Sequence, residues 1–140
     1  MPRGVVRLGS AVAVLLLAPS GCSDPAEDYC ATLADERSSL RELTNAKPDA
    51  GSVAEAAALF GRLADAAPDD LDDEWLTFVN AWQGLADALE VAGDEEGVEI
   101  GRAIRGAGDK LRSPSVVDAA AGIEQHARDV CGVDLGGAGL

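Results

Sequence analysis

Apolar residues recur at intervals of three and four along most of this chain, the spacing of one face of an α-helix. Tyr29, Cys30, Leu33, Leu40 and Leu43 make the first stripe, with the charged Arg37 inside it. Val53, Ala56, Leu59, Phe60 and Leu63 make a second. The longest stripe runs from Leu71 through Trp75, Phe78, Val79, Trp82 and Leu85 to Leu89. Ile100, Ile104 and Leu111 form a weaker fourth. Val116, Ala120, Ile123, Ala127 and Val130 form the last, which ends at Cys131-Gly132. No internal repeat interrupts this series.

Prolines and caps set the boundaries. Pro25, Pro48, Pro68 and Pro114 fall at or just before expected helix starts, where a missing N–H costs nothing. Asp24-Pro25-Ala26-Glu27 reads as a capping box with Asp24 as N-cap, and Ser52-Val53-Ala54-Glu55 as a second with Ser52 as N-cap. Lys47-Pro48 ends the first helix, Pro68 opens the third and Gly93 stops it. The fourth, over 94–112, is weakened by Gly97, Gly101, Gly106 and Gly108, each costing about 1 kcal/mol against Ala. Ser113-Pro114 caps the fifth. Short connections make antiparallel neighbours the expectation. The fold class is therefore all-α, an antiparallel four- to five-helix bundle over residues 22–135, followed by a frayed Gly-rich tail over 136–140.

Composition agrees. Ala is abundant and is the best helix former, whereas Thr and Ile each occur three times, too few for a strand-rich chain. A length of 140 residues suits one domain, and 47% apolar residues exclude a wholly disordered acidic chain.

The N-terminus reads as an address. Arg3 and Arg7 precede the uncharged run Ala11–Ala18, the layout of a secretory signal peptide over residues 1–21. That run is far short of the roughly 20 residues of a membrane span. Ser20-Gly21 followed at once by Cys22 resembles the lipobox of bacterial lipoproteins, with Pro19 standing where an aliphatic residue is usual. The resemblance implies that the Cys22 thiol takes diacylglycerol and becomes the mature N-terminus. With Cys22 lipidated, Cys30 and Cys131 remain as an even pair in an oxidising compartment and are expected to form a disulfide. Two free buried thiols, or a bridge to Cys22, are the alternatives.

Charge narrows the partners. The formal charge of −14 excludes nucleic-acid binding, which needs clustered Lys and Arg, and opposes electrostatic adhesion to an anionic bilayer. Setting aside Arg3 and Arg7 leaves nine basic residues against 25 acids, a mature charge of −16. Membrane association must then come from the lipid on Cys22, and with only Ser23 before the Asp24 cap the disulfide end of the bundle is expected to face the lipid.

Candidate chemistry is sparse. Asp69, Asp70, Asp72, Asp73 and Glu74 could offer oxygen ligands to Ca²⁺, but the loop glycine and closing Glu of an EF-hand are missing. Acids in a first helical turn oppose the macrodipole, which accounts for this run and for Asp94, Glu95, Glu96 and Glu99. Arg102, Arg105, Lys110 and Arg112 form a basic group best read as a solvated C-terminal helix face. Glu99/Arg102 and Glu124/Arg128 are spaced as surface ion pairs. His126, the sole histidine, lies beside the Ile123/Ala127 stripe with Asp129 on its side, but no motif marks a nucleophile for it. No HExxH, CxxC or Walker-type glycine motif occurs, so neither metal, cofactor nor catalysis is expected. Trp75, Phe78 and Trp82 share one helix face and either fill the core or frame a groove for an apolar ligand or partner helix.

Ala67-Pro68-Asp69-Asp70-Leu71-Asp72-Asp73-Glu74-Trp75, the early Tyr29-Cys30 and the closing Cys131-Gly132-Val133-Asp134-Leu135 resemble small helical lipoproteins of high-GC Gram-positive bacteria. Nine Arg against two Lys fits a GC-rich genome. The resemblance implies no activity. The expected function is a lipid-anchored, non-enzymatic helical module on the extracytoplasmic face of the cell membrane, acting on a protein partner. A carrier of a small apolar ligand near Trp75 and Trp82, or a weak Ca²⁺-binding protein, is the alternative.

Overall fold

The computed structural model describes residues 24–46, 49–94 and 98–135. The expected signal segment 1–21, Cys22, Ser23, Lys47-Pro48, Glu95, Glu96, Gly97 and the tail 136–140 lie outside the described residues. Among the described residues five α-helices follow one another: α1 (Pro25–Asn45), α2 (Ala50–Ala66), α3 (Asp72–Asp94), α4 (Val98–Leu111) and α5 (Pro114–Asp129). The all-α expectation holds, with no strand among the described residues.

The helix starts show which caps prevail. Asp24 is the N-cap of α1, and its Oδ1 accepts from the Ala26 amide at 3.0 Å, so its bond goes to the second rather than the third helical amide. For α2 the cap is Asp49, three residues before the expected Ser52. Its Oδ1 accepts from the Ser52 amide at 2.8 Å while Ser52 Oγ accepts from the Asp49 amide at 2.9 Å. Asp caps at least as well as Ser, and the Ser52 hydroxyl closes the box in place of a glutamate, so the helix gains a turn. The Ser52 amide, and after it the Ser52 hydroxyl, hold the Asp49 carboxyl below the usual carboxylate range.

Pro68 opens a single 3₁₀ turn, Asp69–Leu71, rather than the α-helix itself, which begins at Asp72. That turn places Leu71 in the core. Before α5, Ser113 is the N-cap residue, but its hydroxyl meets the Ser115 hydroxyl at 3.2 Å instead of a helix amide.

Helix α3 is the axis of the bundle, packing against α2, α4 and α5. Phe60 of α2 lies against Phe78 and Trp82 of α3, with ring centroids 4.9 and 5.2 Å apart. Helix α5 runs antiparallel to α3, with Gly122 facing Glu74 and His126 facing Asp70 just before the helix. Leu111, at the end of α4, adjoins Trp82. Helices α4 and α5 thus run in succession along α3, α4 on its C-terminal half and α5 on its N-terminal half, broken at Ser113-Pro114.

Helix α1 packs chiefly on α2. Its inward stripe is Tyr29, Leu33, Leu40 and Leu43, and the position between Leu33 and Leu40 is taken by Glu36 rather than Arg37, which is exposed. Glu36 Oε1 accepts from Arg62 of α2 at 3.2 Å, so the polar interruption is bridged to the neighbouring helix.

The Cys30–Cys131 disulfide is present, with Cα atoms 5.0 Å apart. The bridge joins the start of α1 to the end of α5, yet it does not set the two helices side by side: they meet at that end alone, where the Tyr29 and His126 rings are 5.8 Å apart. A disulfide fixes one point, whereas the apolar stripes choose the extended neighbours, α2 for α1 and α3 for α5. Beyond the bridge Gly132 adopts φ 63°, a conformation glycine takes without Cβ strain. The chain turns there, and the Val133 amide donates to the Ala127 carbonyl at 2.9 Å. Val133 and Leu135 are thereby seated on the core.

Candidate functional site

The apolar face of α3 is covered by different neighbours along its length, so its three large rings have different surroundings. Trp75 is 1% exposed and sits edge-on to Tyr29 and Phe78. Its Nε1–H donates to the Tyr29 hydroxyl at 3.2 Å, satisfying an indole that would otherwise be buried without a partner. Burial pushes the Tyr29 phenol up to about 12, and the bond from Trp75 offsets only part of that rise. This pair is core.

Phe78 is buried between Phe60 and Trp75, and one edge of it reaches a surface groove. Trp82, about one turn further along α3 and only partly buried, lies tilted over Phe60 and Phe78. Its Nε1 is buried and has no hydrogen-bond partner. Phe78 and Trp82 line a half-open groove of about 370 Å³ with Leu111 of α4 and Val116, Val117 and Ala120 of α5. Val117 stands 54% exposed on its rim. Of the three expected groove residues, the structure therefore brings Phe78 and Trp82 together here and leaves Trp75 inside.

His126 is placed differently from the sequence expectation. Its side chain is 12% exposed, and the acid near it is Asp70, whose Oδ2 is 3.9 Å from Nδ1. Asp129 turns instead to Gln125, which donates to it at 3.4 Å. The His126 Nε2 is buried with no partner. The ring packs against Tyr29 and helps close the disulfide end of the core.

The acidic run before and in the first turn of α3 is largely solvent-facing, and no three His, Cys, Asp or Glu side chains among the described residues are arranged to hold a metal ion. The Ca²⁺ reading consequently has no assembled site to rest on. Arg128 pairs with Glu124 at 3.5 Å as the spacing predicted, and Arg112 pairs with Asp109 at 2.8 Å. The side chain of Glu99 lies outside the described residues.

Two features escaped the sequence reading. Residues 133–135 contribute Val133 and Leu135 to the core, and the only hint was a pair of apolar residues alternating beyond the last cysteine. The Tyr29–Trp75 bond joins residues with no local relationship in the chain. Among the described residues no helix is long and apolar enough to cross a membrane.

The described residues define a small all-α bundle, stapled at one end by a disulfide and carrying an aromatic groove beside α3. Comparison with known proteins finds no matching family model, no matching curated protein and no matching solved structure.

Proposed function

We propose that this chain is a lipid-anchored, non-catalytic helical module on the extracytoplasmic face of the cell membrane, and that it works by contact with a protein partner. The anchor is the lipid on Cys22, supported by the Arg-flanked apolar run that precedes it and by its similarity to a lipobox. The even pair left behind, Cys30 and Cys131, is the bridged one. Such a bridge suits an oxidising compartment.

The observation that carries the contact function is the Phe78–Trp82 groove. Its volume of about 370 Å³ is at the low end of the ~300–1,000 Å³ typical of ligand sites, and it is open along one side. That shape accepts an apolar side chain presented by a partner more readily than it encloses a free molecule. Aromatic walls and a rim of exposed Val117 suit the centre of a protein contact. A small apolar ligand is the second reading, favoured by the same ring pair.

Two measurements test the proposal. The intact chain expressed in a Gram-positive host should partition into a detergent phase, and Cys22→Ser should move it to the aqueous phase. A photo-crosslinking residue at position 117 should give a discrete protein adduct that Trp82→Ala abolishes. An aqueous wild-type chain with a free Cys22 thiol would remove the anchor. No Trp82-dependent adduct, together with Trp82-dependent uptake of an apolar dye, would replace the contact function by ligand carriage.

A further inference from the structure

A second groove lies on the other side of α3, between α2 and α3, and has a chemistry of its own. Its floor is Ala64, Trp75 and Val79, and its volume is about 540 Å³. Gly61 leaves it deep, because nothing lies within 4 Å of where a Cβ on that residue would stand. Leu76 stands on its edge, 61% exposed, the most exposed large apolar side chain among the described residues.

The charge along this groove is one-sided. At one end Asp65 of α2 and Asp72 of α3 line it together, while the other end offers the neutral amides of Asn80 and Gln83. Helix α3 contains no Lys or Arg at all, and the single cation of α2, Arg62, is engaged with Glu36 of α1. The carboxylates therefore have no basic residue lining the groove with them. From Asp72 to Gln83 the groove follows roughly 17 Å of helix, about three turns.

We propose that this groove docks a basic amphipathic helix of a partner protein. An apolar side chain of that helix enters over Trp75 and Val79 beside Leu76, and a Lys or Arg one end along lies between Asp65 and Asp72. Charge complementarity selects the occupant: an acidic helix would set like charges against the two carboxylates, whereas a cation there meets both. The groove shares no lining residue with the Phe78–Trp82 groove on the opposite side of α3, so the two proposals stand or fall separately.

The test uses the full chain with its disulfide intact and a fluorescent helical peptide built of leucine and lysine, with a leucine–glutamate twin as control. Saturable binding of the lysine peptide is expected, and none of the glutamate twin. Asp65→Lys combined with Asp72→Lys should weaken binding by roughly tenfold or more. Asp87→Lys with Glu90→Lys makes the same change in net charge on exposed positions outside the groove, and should weaken it by no more than about threefold. Gly61→Leu fills the groove and should block binding. Leu76→Ser, which alters a side chain already facing solvent, should weaken binding with no change in the thermal melt.

Equal loss from both charge-reversed pairs would overturn the proposal, because it would show attraction to the overall negative charge. Unchanged binding in Gly61→Leu or equal binding of the glutamate twin would overturn it as well. A concentration-dependent dimer abolished by Gly61→Leu, with no peptide binding, would assign the groove to a second copy of the chain instead.

Discussion

Tyr29 and Trp75, 46 residues apart in the chain, share a buried hydrogen bond in which the indole Nε1–H donates to the phenol oxygen at 3.2 Å. It ties the second turn of α1 to the first turn of α3, two helices that have no extended contact with one another. Tyr29→Phe keeps the ring and strands the indole N–H in the core. The expected cost is roughly 1–3 kcal/mol, the penalty for a buried donor left without an acceptor. Urea unfolding of the oxidised chain measures it, and an unchanged midpoint would show that the bond contributes nothing net.

The same phenol predicts an alkaline limit to stability. Its folded-state value, pushed up to about 12, exceeds the roughly 10 of an unfolded tyrosine, so the folded chain holds this proton more tightly. The stabilisation is fully present below about pH 10 and is lost as the pH rises through the folded value, a loss of roughly 2–3 kcal/mol. Denaturant midpoints between neutral pH and pH 12 should fall for the wild type and much less for Tyr29→Phe. Parallel curves for the two would place the alkaline loss elsewhere.

The disulfide spans a sequence separation of 101 residues, so in the chain-entropy model it constrains the unfolded state by about 4–5 kcal/mol. Cys30→Ser with Cys131→Ser should lower stability by an amount up to that value. Thiol titration of the denatured, unreduced chain should find neither Cys30 nor Cys131 reactive. Reaction at both positions would disprove the pairing.

Two glycines should respond to alanine with opposite signs. Gly84 lies inside α3 with nothing within 4 Å of an added Cβ, so Gly84→Ala should stabilise by about 0.5–1 kcal/mol. Gly132 has φ 63°, where an L side chain crowds the backbone, so Gly132→Ala should destabilise by roughly 1–2 kcal/mol. Thermal melts of the two variants should shift in opposite directions, and a common direction would mean that the turn at 132 relaxes.

The helices and their inward faces are legible in the sequence because a period of 3.6 is local information. Leu33, Leu40, Leu59, Leu63 and Ile123 were all on expected stripes and are all buried. Cap register was less legible because Asp49 and Ser52 are both good caps, and only the folded turn shows that they serve one another. Neighbour choice was not legible. A cysteine pair names a contact and says nothing about how far two helices travel together, so the parting of α1 from α5 had no local signature. For the same reason Trp75 and Trp82 look alike in a helical projection, whereas Tyr29 of α1 covers the first and the second is left at an edge. Val133 and Leu135 belong to no periodic segment, and their seat depends on a backbone reversal at Gly132.

The break at Ser113-Pro114 divides the molecule by resilience. At one end the covalent bridge, the Tyr29–Trp75 pair and the seated Val133 and Leu135 lock three chain segments together. At the other, α4 covers the distal half of α3 with Ile104 and Leu111 only half-buried, carries Gly101, Gly106 and Gly108, and makes little contact with α5. With no fully buried side chain among its described residues 101–111, this segment should open on its own, at a free energy below that of global unfolding. Native-state hydrogen exchange should find the amides of 101–111 exchanging well before those of α1 and α5. The chain would then have one hinge-like seam where it can breathe without loosening the end that the cysteines hold.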